Sequence, residues 1–131
     1  MQEPVWVNDA VVLPIHRRQL AEHGGGDGMR DAGLLDSALN KPKQLWHYGD
    51  PKPDLADIAA AYAYGIARNH PFVDGNKRTA FVVCHLFLKL NQIELVADQK
   101  NKYDTFIKLA AGELSEEELA QWIRQNIAKS A

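Results

Sequence analysis

The chain carries a single cysteine, Cys84. No intrachain disulfide can form, and a reducing compartment is expected. There is no basic excess either, with 15 Lys and Arg against 17 Asp and Glu and a formal charge of −2. General binders of nucleic acid or of membrane surfaces show such an excess, so neither is expected as a direct partner. No apolar run approaches the roughly 20 residues of a membrane span. The opening "MQEPVWVNDA" has neither the basic start nor the apolar stretch of a secretion signal, so a cytoplasmic location is expected. Internal repeats and low-complexity tracts are missing as well. What is present is 131 residues with a hydrophobic fraction of 46%. That suffices to bury one core, and a single domain over residues 1–131 is expected.

The punctuation predicts a helical domain. Asn8 can cap a helix reaching about Glu22, with Val11, Val12, Ile15 and Leu20 near one side. Pro14 lies inside that run, so the helix is kinked or starts later. Residues 23–33, "HGGGDGMRDAG", hold five glycines and two aspartates and read as a loop or small hairpin. Asp31 then caps a short helix that should end before Pro42. The turn-rich segment "KPKQLWHYGDPKP" follows. Asp54 caps the next helix, where Leu55, Ile58, Ala59, Tyr62 and Ile66 keep helical spacing. "TAFVVCHLFLKL" is apolar nearly all round, which predicts a helix in the middle of a bundle, with Cys84 and His85 as core residues. "NQIELVA" could be a short strand. Tyr103, Phe106, Ile107 and Ala110 mark another amphipathic helix. Ser115 with Glu118 forms a capping box, ahead of an inward face made of Leu119, Trp122, Ile123 and Ile127. The expected fold is all-α, with about six helices.

Chemistry concentrates in "HPFVDGNKR", residues 70–78, between two core helices. A helix start offers unpaired N–H groups and the positive end of the helix dipole, which suit an anion. Gly75 allows a tight turn or a close approach to a ligand. Lys77 supplies a point charge and Arg78 a fork for phosphate oxygens. Asp74 can hold Mg²⁺ together with phosphate. His70 can take a proton from an attacking hydroxyl. Base, metal ligand and phosphate clamp are the parts that phosphoryl or nucleotidyl transfer needs. The other histidines, His16, His23, His47 and His85, show no metal-ligand spacing among themselves or with Cys84.

This loop resembles the signature of the Fic/Doc family, whose common form reads H-x-F-x-D/E-G-N-G-R. The likeness continues through "GGGDGMRDAGLLDSAL", "AYAYGIARNHPF", "NKRTAFVVCHLFLKLN" and "AAGELSEEELAQWI", and is nearest to death-on-curing (Doc) toxins. It implies a Fic/Doc helical bundle with His70 as general base and Phe72 as the anchor of the loop. Asp74 would be the metal ligand, and Gly75, Asn76, Lys77 and Arg78 would bind nucleotide phosphate. Met29 and Arg30, in the flap, would meet the target backbone. Two positions depart from the common Fic pattern. Lys77 replaces its second glycine, and Phe81 stands where a second arginine is often found. Doc toxins share this N-K-R. The resemblance therefore implies Mg²⁺-dependent transfer of the γ-phosphate of ATP to a hydroxyl of a translation protein such as elongation factor Tu, arresting translation. Gly75, which is alanine in some Doc members, keeps AMP transfer open as an alternative, and a catalytically silent nucleotide- or partner-binding module is a further one. The self-inhibitory pattern [S/T]-x-x-x-E-[G/N] does not occur. The resemblance supplies the inhibitor from a partner, a Phd-like antitoxin whose C-terminal segment folds into a groove on the toxin.

Overall fold

The computed structural model describes residues 2–130. Its organising element is helix α3 (Leu55–Asn69), in which Ala56, Ala59, Ala60, Ala61, Ala63 and Ala67 are all buried. Small side chains let neighbours approach from several directions. Helices α2 (Ala32–Tyr48), α4 (Asn76–Leu90) and α6 (Glu116–Gln125) all pack on it. Where α2 crosses, a Cβ on Gly65 would stand 3.1 Å from the Ala38 Cβ, so the contact is made almost backbone to backbone. Tyr62, Ile58 and Ile66 fill the remaining core with Phe72, Phe87, Leu88 and Leu109. Helix α1 (Val12–His23) lies on α4, and α5 (Gln99–Ala110) touches both α3 and α4. No helix among the described residues is long and apolar enough to cross a membrane.

Among the described residues, the six α-helices and the all-α class agree with expectation. Reciprocal capping boxes open α3 (Asp54 with Asp57) and α6 (Ser115 with Glu118). Arg124 of α6 reaches both carboxylates at the start of α3, to Asp54 at 2.8 Å and Asp57 at 3.0 Å.

Several local expectations are corrected. Asn8 caps only a 3₁₀ turn (Asp9–Val11), and α1 starts after it. Pro14 thus falls in the first turn of α1, where its missing N–H has no helical partner to lose. Helix α2 does not stop before Pro42 but runs on to Tyr48. An internal proline costs about 3 kcal/mol. Leu35, Ala38, Leu39, Pro42 and Trp46 nevertheless form one buried stripe, and burying two large side chains offsets a cost of that size. The centre of the bundle is α3 rather than α4, because Phe81, Val82, His85 and Leu86 of α4 are only half-buried, the first two along a groove. In α5 the buried face is Thr105, Phe106 and Leu109, and Tyr103 is 61% exposed. Ile127 is not on α6. It opens a short strand β2 (Ile127–Lys129), which pairs antiparallel with β1 (Ile93–Leu95) in the register Ile93↔Lys129, Leu95↔Ile127. The flap forms no hairpin of its own and pairs instead with the motif loop, described next.

Candidate active site

Helix α3 ends at Asn69, and His70 caps it in the left-handed conformation, φ 48° and ψ 57°. A side chain there costs on the order of 1–2 kcal/mol, so the surroundings must hold it. Arg30 does so. Its guanidinium donates to the carbonyls of Asn69 and His70, both at 2.6 Å, and its backbone N–H donates to Pro71 O at 2.8 Å. Two carbonyls at a helix C-terminus carry the negative end of the dipole, which a guanidinium complements. Met29 pairs with Phe72 in an antiparallel bridge, and Val73 N–H donates to Gly28 O at 3.1 Å. The flap is therefore laid along the loop as a short added strand.

The loop then closes on itself. The Asn76 side-chain oxygen accepts from Phe72 N–H, and its amide donates to Phe72 O, both at 3.0 Å. Phe72 is 1% exposed and stacks on the His16 ring at 3.7 Å, nearly parallel. His16 Nε2 lies 2.8 Å from Asp74 O, and a carbonyl can only accept, so Nε2 carries the proton. The Asp74 carboxylate accepts from Gly75 N–H at 2.8 Å and Gly26 N–H at 3.2 Å. Those two bonds, Gly75 first, hold its carboxyl below the usual carboxylate range, with smaller help from the Arg78 charge. Gly75, at φ 79° and ψ 13°, turns the chain into α4, which has no side-chain cap.

A cleft of about 290 Å³ results, lined by His70, Asp74, Gly75, Asn76, Lys77 and Arg78, with Val73 and Ala110 at its margins. Six of the nine residues expected to act thus share one wall. Phe72 lies beneath as the anchor. Met29 and Arg30 stand in the flap outside the cleft, and the Arg30 guanidinium is already engaged by the loop rather than free for a target. The Asn76 side chain is likewise occupied in loop closure, leaving its backbone N–H for an anion. Among the described residues neither Lys77 nor Arg78 makes an ion pair with a carboxylate, and Lys77 Nζ sits 5.6 Å from the centre of the Tyr103 ring. Two unpaired cations at an uncapped helix start repel each other and the dipole until an anion arrives.

The model of the Fic/DOC family matches residues 6–88, which include the whole of this loop and the flap. The chain belongs to the Fic/DOC family. Among curated relatives, a protein of Escherichia phage P1 named "Protein kinase doc" is 31% identical over 114 residues, covering 87% of this chain and 89% of that protein. One from Mycolicibacterium smegmatis named "Toxin Doc" is 47% identical over 75 residues, covering 57% of this chain and 58% of that protein.

Within this Fic/DOC chain the sequence reading missed His16, which it took as an unremarkable histidine. One signal was available: Val12, His16 and Gln19 share the buried side of α1, and a polar ring on an apolar stripe needs a partner. The flap amide of Gly26 carries no sequence signal, since a backbone donor is the same in every residue. No cluster of three or more His, Cys, Asp or Glu suited to a metal occurs among the described residues. Asp74 is the lone carboxylate in the cleft. That suits Mg²⁺, which commonly takes one or two carboxylates and completes its shell with water and substrate phosphate.

Proposed function

We propose that the chain is the toxin of a toxin–antitoxin pair and acts as a protein phosphotransferase, moving the γ-phosphate of ATP to a hydroxyl of a translation protein such as elongation factor Tu. The observation that carries this reading is the meeting, in one cleft, of a histidine, a lone ionised carboxylate and an uncapped helix start with two unpaired cations. The names of the phage and mycobacterial relatives support both parts of it.

His70 Nδ1 or Nε2 accepts the proton of the target hydroxyl as its oxygen bonds to the γ-phosphorus. The bond from that phosphorus to the bridging oxygen breaks, and ADP leaves with the electron pair. Lys77, Arg78 and the first N–H groups of α4 receive the charge that spreads over the phosphoryl oxygens. Asp74, oriented by the N–H groups of Gly75 and Gly26, is the residue that would hold Mg²⁺, which supplies charge neutralisation at the phosphate. Met29 and the exposed Val73 border the site on the flap side, where an extended target segment fits.

Lys77 favours phosphoryl over AMP transfer, because its side chain takes space in the anion cleft that a glycine would leave. Phe81, where AMP-transferring Fic enzymes often have arginine, supports the same side, since it packs edge-on against Phe106 at 5.1 Å and offers no charge. The AMP-transfer alternative rests on the identity of Gly75, which matches the first glycine of the common Fic motif where some Doc toxins have alanine. The antitoxin segment is assigned to the adjoining groove of about 390 Å³ between α1, α4 and α5, where Phe81, Val82 and Phe106 give an apolar floor and Lys77 and Arg78 reach the rim. A segment there would cover both cations.

The toxin reading is tested by expressing the chain without its antitoxin in the bacterial cytoplasm. Growth arrest should vanish in His70→Ala while the variant stays folded. Arrest by folded His70→Ala would remove His70 from the mechanism.

A further inference from the structure

Two residues outside the nine-residue loop hold its two ends, and they share no contact. Arg30 touches only the His70 end, through the carbonyls of Asn69 and His70 and, by its backbone, Pro71. His16 touches only the Asp74 end. It stacks on Phe72, donates to Asp74 O and lies against Gly75, whose Cβ would stand 3.5 Å from the imidazole. His16 is 4% exposed, so its ring is held inside the fold against Asp74 O. Arg30 comes from the flap and His16 from α1, and the two side chains have no partner atom in common, although the flap also reaches Asp74 through Gly26 N–H. We infer that Arg30 and His16 are separate positioning residues: Arg30 sets turnover by holding His70, and His16 sets metal affinity by holding the peptide that carries Asp74.

The Arg30 half follows from the backbone. Without the guanidinium, the carbonyls of Asn69 and His70 lose their donor, and only the backbone bonds from Arg30 and Asp31 to Pro71 O still hold the turn that carries the left-handed φ of His70. The residue relaxes, and its imidazole leaves the position from which it reaches the hydroxyl. The His16 half follows from the carbonyl. Once Asp74 O loses its donor, the peptide can rotate, and the carboxylate swings away from Gly26 N–H. Asn76 stands between the ends and closes the turn, so it belongs to both. This inference rests on the proposed metal-dependent transfer, but two of its readouts do not require transfer.

Arg30→Met and His16→Phe separate the clamps. The first keeps the bulk of the side chain and removes its charge. The second keeps the ring against Phe72 and removes the N–H. His16→Gln returns an amide donor. Three quantities are measured on each folded variant: Mn²⁺ affinity by electron paramagnetic resonance with a non-hydrolysable ATP analogue, the left-handed signature of His70 in its HN–Hα coupling and carbon shifts, and kcat with KM for the target. His16→Phe should weaken Mn²⁺ binding by about 10- to 100-fold, as outer partners of metal ligands do. It should leave the His70 signature in place, and His16→Gln should restore most of the affinity. Arg30→Met should abolish the signature and lower kcat by roughly 100-fold at unchanged KM, with Mn²⁺ affinity held within about threefold. If both variants move both quantities together, or neither moves its own, the two-clamp inference is wrong. If the wild type transfers no phosphate yet the Mn²⁺ and His70 readouts split as described, the clamps stand and the proposed reaction falls.

Discussion

Gly25→Ala is a substitution whose effect on the site can be worked from the backbone alone. Gly25 has φ +126°, a conformation that only glycine takes without strain. A Cβ built there would stand 2.8 Å from Asp74 Oδ2, 3.1 Å from its Cγ and 3.1 Å from Leu20 Cδ2. Ordinary contact begins near 3.4 Å, so the carboxylate or the flap must retreat by about 0.6 Å. The bond from Gly26 N–H to that same oxygen is already 3.2 Å long and would break. A misplacement of 1 Å at a reacting group costs about 100-fold in rate, so this one should cost on the order of tenfold. The backbone strain adds about 1–3 kcal/mol of destabilisation. Gly24→Ala is the matched control. Gly24 also has positive φ, +78°, but nothing lies within 4 Å of its Cβ. It should lose comparable stability and no activity. The assay is the initial rate of metal-dependent transfer, compared with thermal unfolding by circular dichroism for each variant. Equal losses of activity in the two variants would refute the assignment of Gly25 to the space beside Asp74.

Other expectations follow from groups away from the cleft. The Arg124 guanidinium holds the Asp54 carboxyl down at about 2, against an ordinary 3.8. A depressed carboxyl stabilises above its unfolded value and ceases to do so as pH falls through its folded one. The stability difference between wild type and Arg124→Met should therefore be about 1 kcal/mol at neutral pH, allowing for solvent screening, and shrink between about pH 4 and pH 2 in urea titrations. A pH-independent difference would assign the loss to packing. Tyr62→Phe removes the acceptor of Val7 N–H, a buried bond of 3.3 Å to a hydroxyl whose pKa burial pushes up to about 12. It should cost about 1–3 kcal/mol, because the amide is left unpaired, and a cost near zero would show that water replaces the hydroxyl. Burial pushes the Cys84 thiol to about 12, so a thiol reagent should modify it only at the rate of unfolding. Rapid modification under native conditions would mean that α4 opens locally.

How much was legible in the sequence depended on the range of the interactions. The caps of α3 and α6 are contacts between residues three apart, and Asp54 and Ser115 announced them. The glycine-rich flap and the helix–loop–helix around residues 70–78 were legible for the same reason. Helix α2 was cut short because the rule for Pro42 is local, while burial of Leu39 and Trp46 against α3 is not. Strand β2 escaped notice because Ile127 fits the spacing of α6, and only pairing with Leu95 shows where it belongs. In the site, the members of the loop were named from their spacing, but their division of labour was not. Asn76 turned out to close the turn with its side chain. Arg30 turned out to grip the end of α3, across 39 and 40 positions of sequence. His16 meets Asp74 across 58 positions, and no spacing rule reaches that far.

The central claim is that this loop transfers a phosphoryl group and that Lys77 marks the difference from AMP transfer. It is tested most directly by incubating antitoxin-free protein with Mg²⁺ and a bacterial translation extract, once with γ-labelled and once with α-labelled ATP, beside His70→Ala. The account predicts one protein band labelled from the γ position alone and missing in His70→Ala. A band labelled from the α position would contradict it and assign the cleft to nucleotidyl transfer.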